Sequence, residues 1–598
     1  MTLPLGETLG ARSLDDSSTR FCVWAPRFAQ LSLRLEETGR LVELDGLGGG
    51  YFGATVEDCP AGTRYRYVRD DGATFADPAS RSQPDGVHGP SEVVDLASYE
   101  WGDGAYRQRP FFEYVMYELH VGTFSRGGTF ASALDELDAL VELGVTAIEI
   151  MPVAQFPGDR NWGYDGVFAF AVQSSYGGAR ELQRFVDVCH QKELAVILDV
   201  VYNHLGPEGN ILGEFAPYFN ERYQTPWGPA LNFDDADSDD VREYYWLNAR
   251  QWFEGFHIDA LRLDAVHAIL DTSAIPFLAE LSQRSHDLAQ VLARRCDLIA
   301  ESASNDPRVV TPLADDGLGL DAQWNDDFHH ALHVCLTGER SSYYVDYTGP
   351  SDLARAMNDG FVLQGEYSTF RRRRHGAPSG TIAPERFVVF AQNHDHVGNR
   401  PRGDRLSTII APAQSTLAAA LVVLSANIPL LFMGEEYGEV APFPYFVDHG
   451  DATLVQSIRE GRAREFADLA NQGELYDPAS IDTYDAAVLD HGLRHQGEHQ
   501  ALWDHYQRLI ALRRATPALR RSTRAHARAW CEGNVITLER TDESGNVTLF
   551  FNLSPSDALA HLAPTTRWRD LLGGERLDVD TPVALVPWGF AVYGEVPS

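Results

Sequence analysis

Three features of the 598-residue chain point to an α/β protein: a (β/α)8 TIM barrel with an N-terminal β-sandwich before it and a C-terminal β-sandwich after it. Short β-rich runs alternate with helical patterns along the middle of the chain. The polar residues that interrupt those runs gather at their carboxyl ends. Both ends of the chain have the texture of short strands broken by Gly, Asp and Pro.

In order, residues 1–95 contain runs such as "TRFCVWAP" and "LSLRLEE" and read as a small immunoglobulin-like β-sandwich. Residues 96–518 hold the runs "YVMYELHV", "TAIEIMPV", "AVILDVVYNH", "DALRLDAV", "DLIAES", "DAQWND", "RFVVFAQNHD" and "PLLFMGEE". Between them lie "ASALDELDALVEL", "ARELQRFVDVCHQK", "DVREYYWLNARQWFEG" and "QALWDHYQRLIALRRAT", whose apolar residues recur at three- and four-residue steps. The longest insertion, 205–238, follows the third strand and is rich in Gly, Pro and aromatic residues. Residues 519–598 return to strands in "NVITLER", "NVTLFFNLS" and "PVALVPWGFAVYG".

With 86 acidic against 49 basic residues the formal charge is −37, which repels phosphate backbones and anionic bilayers, so neither nucleic acid nor membrane is an expected partner. Cys22, Cys59, Cys189, Cys296, Cys335 and Cys531 lack short spacings and read as buried thiols, without a zinc knuckle or a disulfide framework. "MTLPLGETLG" has no basic segment leading into an apolar one. The longest apolar region, "AALVVLSANIPLLFMG", is broken by Asn427 and Pro429. The expectation is a soluble, cytoplasmic protein.

Barrel enzymes build their sites at the carboxyl ends of the strands. Here those ends supply Asp199, Asn203 and His204, then Arg262 and Asp264, then Glu301, then His394 and Asp395. Residues two apart on a strand share a face, so Arg262 and Asp264 would both point into the barrel mouth. A guanidinium so placed favours an ionised carboxylate, which is a nucleophile. The same pair would also serve as a buried ion pair that only fixes register. Glu301 follows the apolar "LIA", where burial keeps a carboxyl protonated and able to donate, although a helix-capping role fits it equally. Two carboxyl groups of opposed protonation, about 5–5.5 Å apart, are the equipment of a retaining glycosidase. Trp162, Tyr164, Trp227, Trp324 and Phe370 lie near strand ends, where flat rings would stack on sugar faces.

"DVVYNH" (199–204), "ALRLDAVHA" (260–268), "IAES" (299–302) and "FAQNHD" (390–395) resemble, in order and spacing, the signature runs of the α-amylase-like glycoside hydrolases, family 13. The resemblance implies Asp264 as nucleophile, Glu301 as general acid/base and Asp395 as transition-state stabiliser. Tyr164, Asp199, His204, Arg262 and His394 would frame the sugar before the cleavage point. "YELHVGTFSRGGTF", "NWGYDGV", "YQTPWGPALNFD", "WNDDFHHALH" and "FRRRRHG" are similar to segments of the family's maltooligosyltrehalose-cleaving branch, the trehalohydrolases, in which the first domain is carbohydrate-binding-module-like.

That similarity implies maltooligosyltrehalose and related α-glucans as substrates, and a functional pairing with maltooligosyltrehalose synthase. It also places Trp227, Asp326, Asp327, Phe370, Arg371 and Asn399 around the chain or its trehalose end, with His267 close to the nucleophile. Branching or debranching enzymes of the same family are the alternative; a non-catalytic glucan-binding protein would be expected to lack some of the three carboxylates. "WNDDFHH" holds two Asp and two His, but adjacent residues on a strand point apart. In many relatives the position of Asn203 is a calcium ligand, together with residues of the third insertion. That insertion is short here, and its "DDADSDD" reads equally as helix cap and surface. No metal and no cofactor are expected.

Overall fold

The computed structural model describes residues 3–466, 475–520, 523–543, 545–563, 567–577 and 582–596. Eight parallel strands close into a barrel in chain order. They are β1 Met116–Leu119, β2 Ala147–Ile150, β3 Ala195–Val200, β4 Ala260–Leu263, β5 Asp297–Ala300, β6 Ala322–Trp324, β7 Phe387–Val389 and β8 Ile428–Phe432. Each lies in one of the eight runs read from the sequence, β8 beginning one residue earlier.

The period of two along these strands sorts the barrel interior into levels. Met116, Ala147, Ile197, Ala260, Ile299 and Val388 form a dry core closed below by Phe111 and Tyr114. Two residues further along, the inward positions turn polar, as Glu118, Glu149, Asp199, Arg262 and Glu301. That end of the barrel is thus polar because β1 to β5 change character at the same height, while β7 is followed there by the apolar Phe390.

Helix Gly178–Gln191 buries Leu182, Phe185, Val186 and Cys189 on one stripe, as its periodicity predicts. Ser238–Gly255 is buried over most of its length because it lies between the barrel and the N-terminal sheets. Tyr51 donates to Asp240 at 2.5 Å, and Tyr244 donates to the Pro78 carbonyl at 2.8 Å. Helices Phe277–Leu292, Asp326–Thr337, Pro350–Asp359, Pro412–Val423 and Ala452–Glu465 were not among the helical patterns expected from sequence. Pro412–Val423 is apolar all round and merges in sequence with β8, so it carries no stripe to read.

"WNDDFHH" departs from the strand expected of it. β6 stops at Trp324, and the Asn325 side chain accepts from the Phe328 N–H at 3.2 Å, so a helix starts at Asp326. In "DDADSDD", Asp234 accepts from Asn220, Tyr223 and Thr272, which ties down the hairpin formed by Phe219–Thr225 and Gly228–Leu231.

The first strands form two antiparallel sheets, with Phe21 of one meeting Tyr65 of the other edge to face, ring centroids 4.9 Å apart. The following linker runs beneath the barrel. There Asp103 Oδ2 lies 2.9 Å from His190 Nδ1 and 2.7 Å from His257 Nδ1, while His190 Nε2 reaches Asp259 Oδ2 at 2.9 Å. Asp103, His190 and His257 are thus joined by direct hydrogen bonds, at the end of the barrel away from the cleft. A six-stranded sheet built from segments of 527–595 closes the chain. All six cysteines are free, four buried and two half-buried. Among the described residues no helix is long and apolar enough to cross a membrane.

Candidate active site

A cleft of about 830 Å3 opens at the carboxyl ends of the strands, and Tyr164, Asp264, Glu301, His394 and Asp395 all line it. Its floor is organised by Arg262, which is fully buried and lies 4.3 Å over the ring of Trp324. Arg262 Nη1 donates to Asp199 Oδ2 at 2.7 Å and to Asp264 Oδ1 at 2.8 Å, and Nη2 stands 3.9 Å from Glu301 Oε2. Two charges two residues apart are therefore buried together because one guanidinium serves three carboxyl groups from three strand ends. Asp264 and Glu301 face each other across the width of that group.

The two carboxyls differ in their surroundings. Asp264 accepts from Arg262 on one oxygen and from Asn203 Nδ2 on the other, at 2.7 Å. Donors on both oxygens are how an anion is held. Asn203 is committed entirely to Asp264 and its neighbour, since its amide also donates to the Asp264 carbonyl at 2.8 Å and its oxygen meets His204 Nδ1 at 2.5 Å.

Glu301 is half-buried, its side chain 13% exposed, and desolvation there, with the charges of Asp264, Asp326 and Asp395 working against Arg262, pushes its pKa up to about 8. It is a protonated acid at neutral pH. Its Oε2 accepts from the Ala265 N–H at 2.6 Å. That amide is aimed by a left-handed turn at Ala265, φ 40° and ψ 50°, a conformation costing a non-glycine residue about 1–3 kcal/mol.

A second network holds the opposite wall. Burial pushes the Asp199 pKa up to about 7, and Asp199 Oδ2 accepts from the Tyr164 hydroxyl at 2.6 Å. That hydroxyl is 2.9 Å from His394 Nε2. Asp395 follows on the first turn of helix His394–Gly398, 45% exposed, its Oδ1 3.6 Å from His394 Nε2. Trp227, at the tip of the hairpin after β3, is half-exposed and stacks on His204 with centroids 4.5 Å apart. His267 lines the same cleft and accepts from the Ala303 N–H at 3.3 Å.

Residues 75–227 match the alpha amylase catalytic domain. The malto-oligosyltrehalose trehalohydrolase of Saccharolobus solfataricus is 47% identical over 476 residues, 80% of this chain and 82% of that protein. The Arthrobacter ramosus protein of the same name is 44% identical over 502 residues, 83% of this chain and 87% of that one. The chain belongs to the malto-oligosyltrehalose trehalohydrolase family. It is a glycoside hydrolase of the α-amylase family. A crystal structure from Salmonella typhimurium superposes with a TM-score of 0.89 at 37% identity, covering 99% of this chain and 100% of that one.

Other positions singled out in this trehalohydrolase-family sequence are distributed less evenly. Asp326 sits beside the cleft, its pKa pushed up to about 7 by burial and by Asp395 and Asp327. Asp327 turns away, contrary to the expectation that it meets substrate. It is buried and satisfied, accepting from the Tyr347 hydroxyl and from the Val362 and Leu363 N–H groups at 2.5, 2.6 and 2.9 Å. Neighbours on a helix point about 100° apart, so only one of the two can face the sugar. Trp324 is likewise no platform for substrate, being buried under Arg262. Trp162 is buried but presents an edge to the cleft and stacks on Phe443.

Phe370 and Arg371 stand at the rim, the guanidinium 5.7 Å from the ring centroid and 3.4 Å from the Ala303 carbonyl. Asn399 lines the cleft and receives Arg462 at 3.3 Å.

Tyr445, Arg462 and Glu465 line the cleft and were not foreseen. Arg462 donates to the Gly398 carbonyl at 2.8 Å and to Glu465 at 3.0 Å, from a helix that reads in sequence as ordinary charged surface. Glu118 and Glu149, on the barrel floor, were also passed over. Their signal was present: each is a lone acid at an inward position of an apolar strand.

Proposed function

We propose that the protein hydrolyses the α-1,4-glucosidic bond next to the terminal trehalose of maltooligosyltrehalose, releasing trehalose and a shorter maltooligosaccharide with retained configuration. The observation that carries this reading is the placement of Asp264 and Glu301 on one guanidinium, one between two donors and the other protonated. Asp264 attacks the anomeric carbon while the proton of Glu301 passes to the departing glycosidic oxygen, so trehalose leaves and a glycosyl ester forms. Glu301, now a carboxylate, takes a proton from water; the water oxygen attacks the same carbon and Asp264 is released. Asp395 stabilises the positive charge that develops at the ring, and Tyr164, Asp199, His204, Arg262 and His394 hold the sugar being cleaved. Trp227, Asp326, Phe370, Arg371 and Asn399 lie around the chain or its trehalose end, with His267 close to the nucleophile.

The names of the relatives support this choice over branching or debranching activity. The same reading pairs the protein with a synthase that makes the trehalose-ended chain. Incubation with maltooligosyltrehalose is expected to yield free trehalose, and Asp264→Asn to lower kcat by about 10³-fold or more with the fold kept. New α-1,6 branches from amylose, or debranched chains from amylopectin, with no trehalose formed, would overturn the assignment.

A further inference from the structure

Beneath the residues that face the cleft, the floor of the barrel carries one acid whose two oxygens both engage a single residue of the site. Glu118, on β1, is 1% exposed. Its Oε1 lies 2.5 Å from His394 Nδ1, and its Oε2 accepts from the His394 backbone N–H at 3.1 Å. The imidazole is thereby fixed in orientation, with Nε2 turned toward the cleft. There the Tyr164 hydroxyl stands 2.9 Å away and itself donates to Asp199 at 2.6 Å.

A hydroxyl that has given its proton to Asp199 can only accept from His394, so Nε2 carries a hydrogen. Nδ1, facing a carboxylate, carries another. With Asp199 ionised, this geometry is that of an imidazolium, and Glu118 is its counter-ion. We propose that Glu118 is a positioning residue for the hydrolysis: it holds His394 charged and aimed, and through it the Tyr164 phenol and Asp395 beside the bond to be cleaved. This rests on the function proposed above for His394 and Asp395, and adds a residue outside the four runs that carry the catalytic groups.

The charges around His394 agree with that role. Glu118 faces it from β1, with Glu149 adjacent on β2, Asp199 on β3, Arg262 on β4 and Asp395 on its own helix; His120 and His396 stand near. Burial opposes the imidazolium, but Glu118 and Asp395 outweigh it and push the pKa of His394 up to about 9. Among the described residues neither oxygen of Glu149 has a hydrogen-bond partner, and burial, with Glu118 beside it, drives its pKa well up and favours its neutral form. A merely structural Glu118 would need only its bond to the backbone N–H, which a glutamine can also accept.

The test is Glu118→Gln, with Glu118→Asp as the charge-keeping control that also covers a failure of the glutamine variant to fold. On maltooligosyltrehalose, kcat for Glu118→Gln is expected to fall about 10- to 100-fold with KM within about 3-fold of wild type. The basic limb of kcat/KM should move from about pH 8 toward the ordinary histidine range near 6.5. Glu118→Asp is expected to restore the wild-type limb. In His394→Gln, adding Glu118→Gln should cost little more.

A second readout needs no turnover. A histidine whose folded pKa is raised adds stability that is complete below about pH 6.5 and lost as pH rises through about 9. The melting-temperature gap between wild type and Glu118→Gln is therefore expected to be wide at pH 6 and to close by about pH 10. A wild-type pH profile in Glu118→Gln, additive losses in the double variant, or a gap constant with pH would each overturn the inference. Absence of trehalose release by the wild type would sink the proposed function alone, with the melting experiment still deciding the role of Glu118.

Discussion

Glu301 keeps its proton through the neutral range and gives it up over the next pH unit, with its pKa at about 8. kcat/KM is therefore expected to fall as pH rises through about 8, measured on maltooligosyltrehalose in buffers of constant ionic strength. The same shift has a consequence for stability, and its sign follows from linkage. Below the ordinary value of about 4.5 both folded and unfolded chains hold the proton. Between there and about 8 only the unfolded chain ionises, so the folded state loses ground as pH rises. Glu301→Gln is thus expected to raise the melting temperature at pH 7.5 by a few degrees and to leave it unchanged at pH 4. An equal shift at both values would show that burial does not set this proton.

The spacing of Arg262 and Asp264 was legible because two opposite charges stood on one strand. Glu118 obeys the same inward alternation but stands alone on its strand, and its partner lies just beyond β7, 276 residues on. Sequence read strand by strand finds pairs within an element and misses pairs across the barrel.

On the function proposed above, elements rather than single side chains would decide how the cleft receives the trehalose end. Residues 367–371 carry Phe370 and Arg371 and are held by one carboxylate: Asp346 accepts from the Ser368 hydroxyl at 2.5 Å and from the Thr369 N–H at 2.6 Å. Asp346→Ala removes both bonds, and a longer third one from the Phe370 N–H at 3.4 Å, without touching the catalytic groups. Its expected effect is a rise in KM for maltooligosyltrehalose of about 10-fold, the equivalent of about 1.4 kcal/mol, with kcat within about 3-fold. A maltooligosaccharide of the same length, lacking the 1,1-linked pair, should show no change. If both substrates weaken equally, the loop acts on the whole cleft.

This clamp was not readable in advance, since "FRRRRHG" signals charge but not the acid 24 residues earlier that shapes the loop. The eight strands were readable because each is a short apolar run closed by a polar end. The helices missed among them are those without a stripe. Pro412–Val423 is buried on every side from Leu417 on, and Asp326–Thr337 begins where a strand-like run had been expected to continue.

Across the whole molecule, the C-terminal sheet meets the barrel through cations that no acid among the described residues neutralises. Arg513, on the last long helix, donates to the Val423 and Ser425 carbonyls at 2.7 and 2.9 Å and to the Asn427 carbonyl at 2.7 Å. Arg540, on the C-terminal sheet and fully buried, donates to the Ser425 and Leu519 carbonyls at 2.6 and 3.1 Å. Both side chains fill the carboxyl end of helix Pro412–Val423, where unpaired carbonyls concentrate negative potential. Burial drives the pKa of Arg513 down to about 10, and that of Arg540 down as well, with Arg513 adding repulsion.

Desolvation thus works against both cations, and the helix end and its carbonyls hold them. Arg540→Met relieves the charge but leaves the Leu519 carbonyl without its donor. With hydrogen bonds to a charged group worth about 1.5–3 kcal/mol each, the loss is expected to win by about 1–3 kcal/mol. Calorimetry should then show a lower-melting transition for the sheet, while kcat at 25 °C stays at the wild-type value because the contact lies before β8, at the end of the barrel opposite the cleft. A melting temperature that holds or rises would mean that removing a buried guanidinium outweighs the carbonyls it serves, and that the sheet is held to the barrel by its apolar face alone.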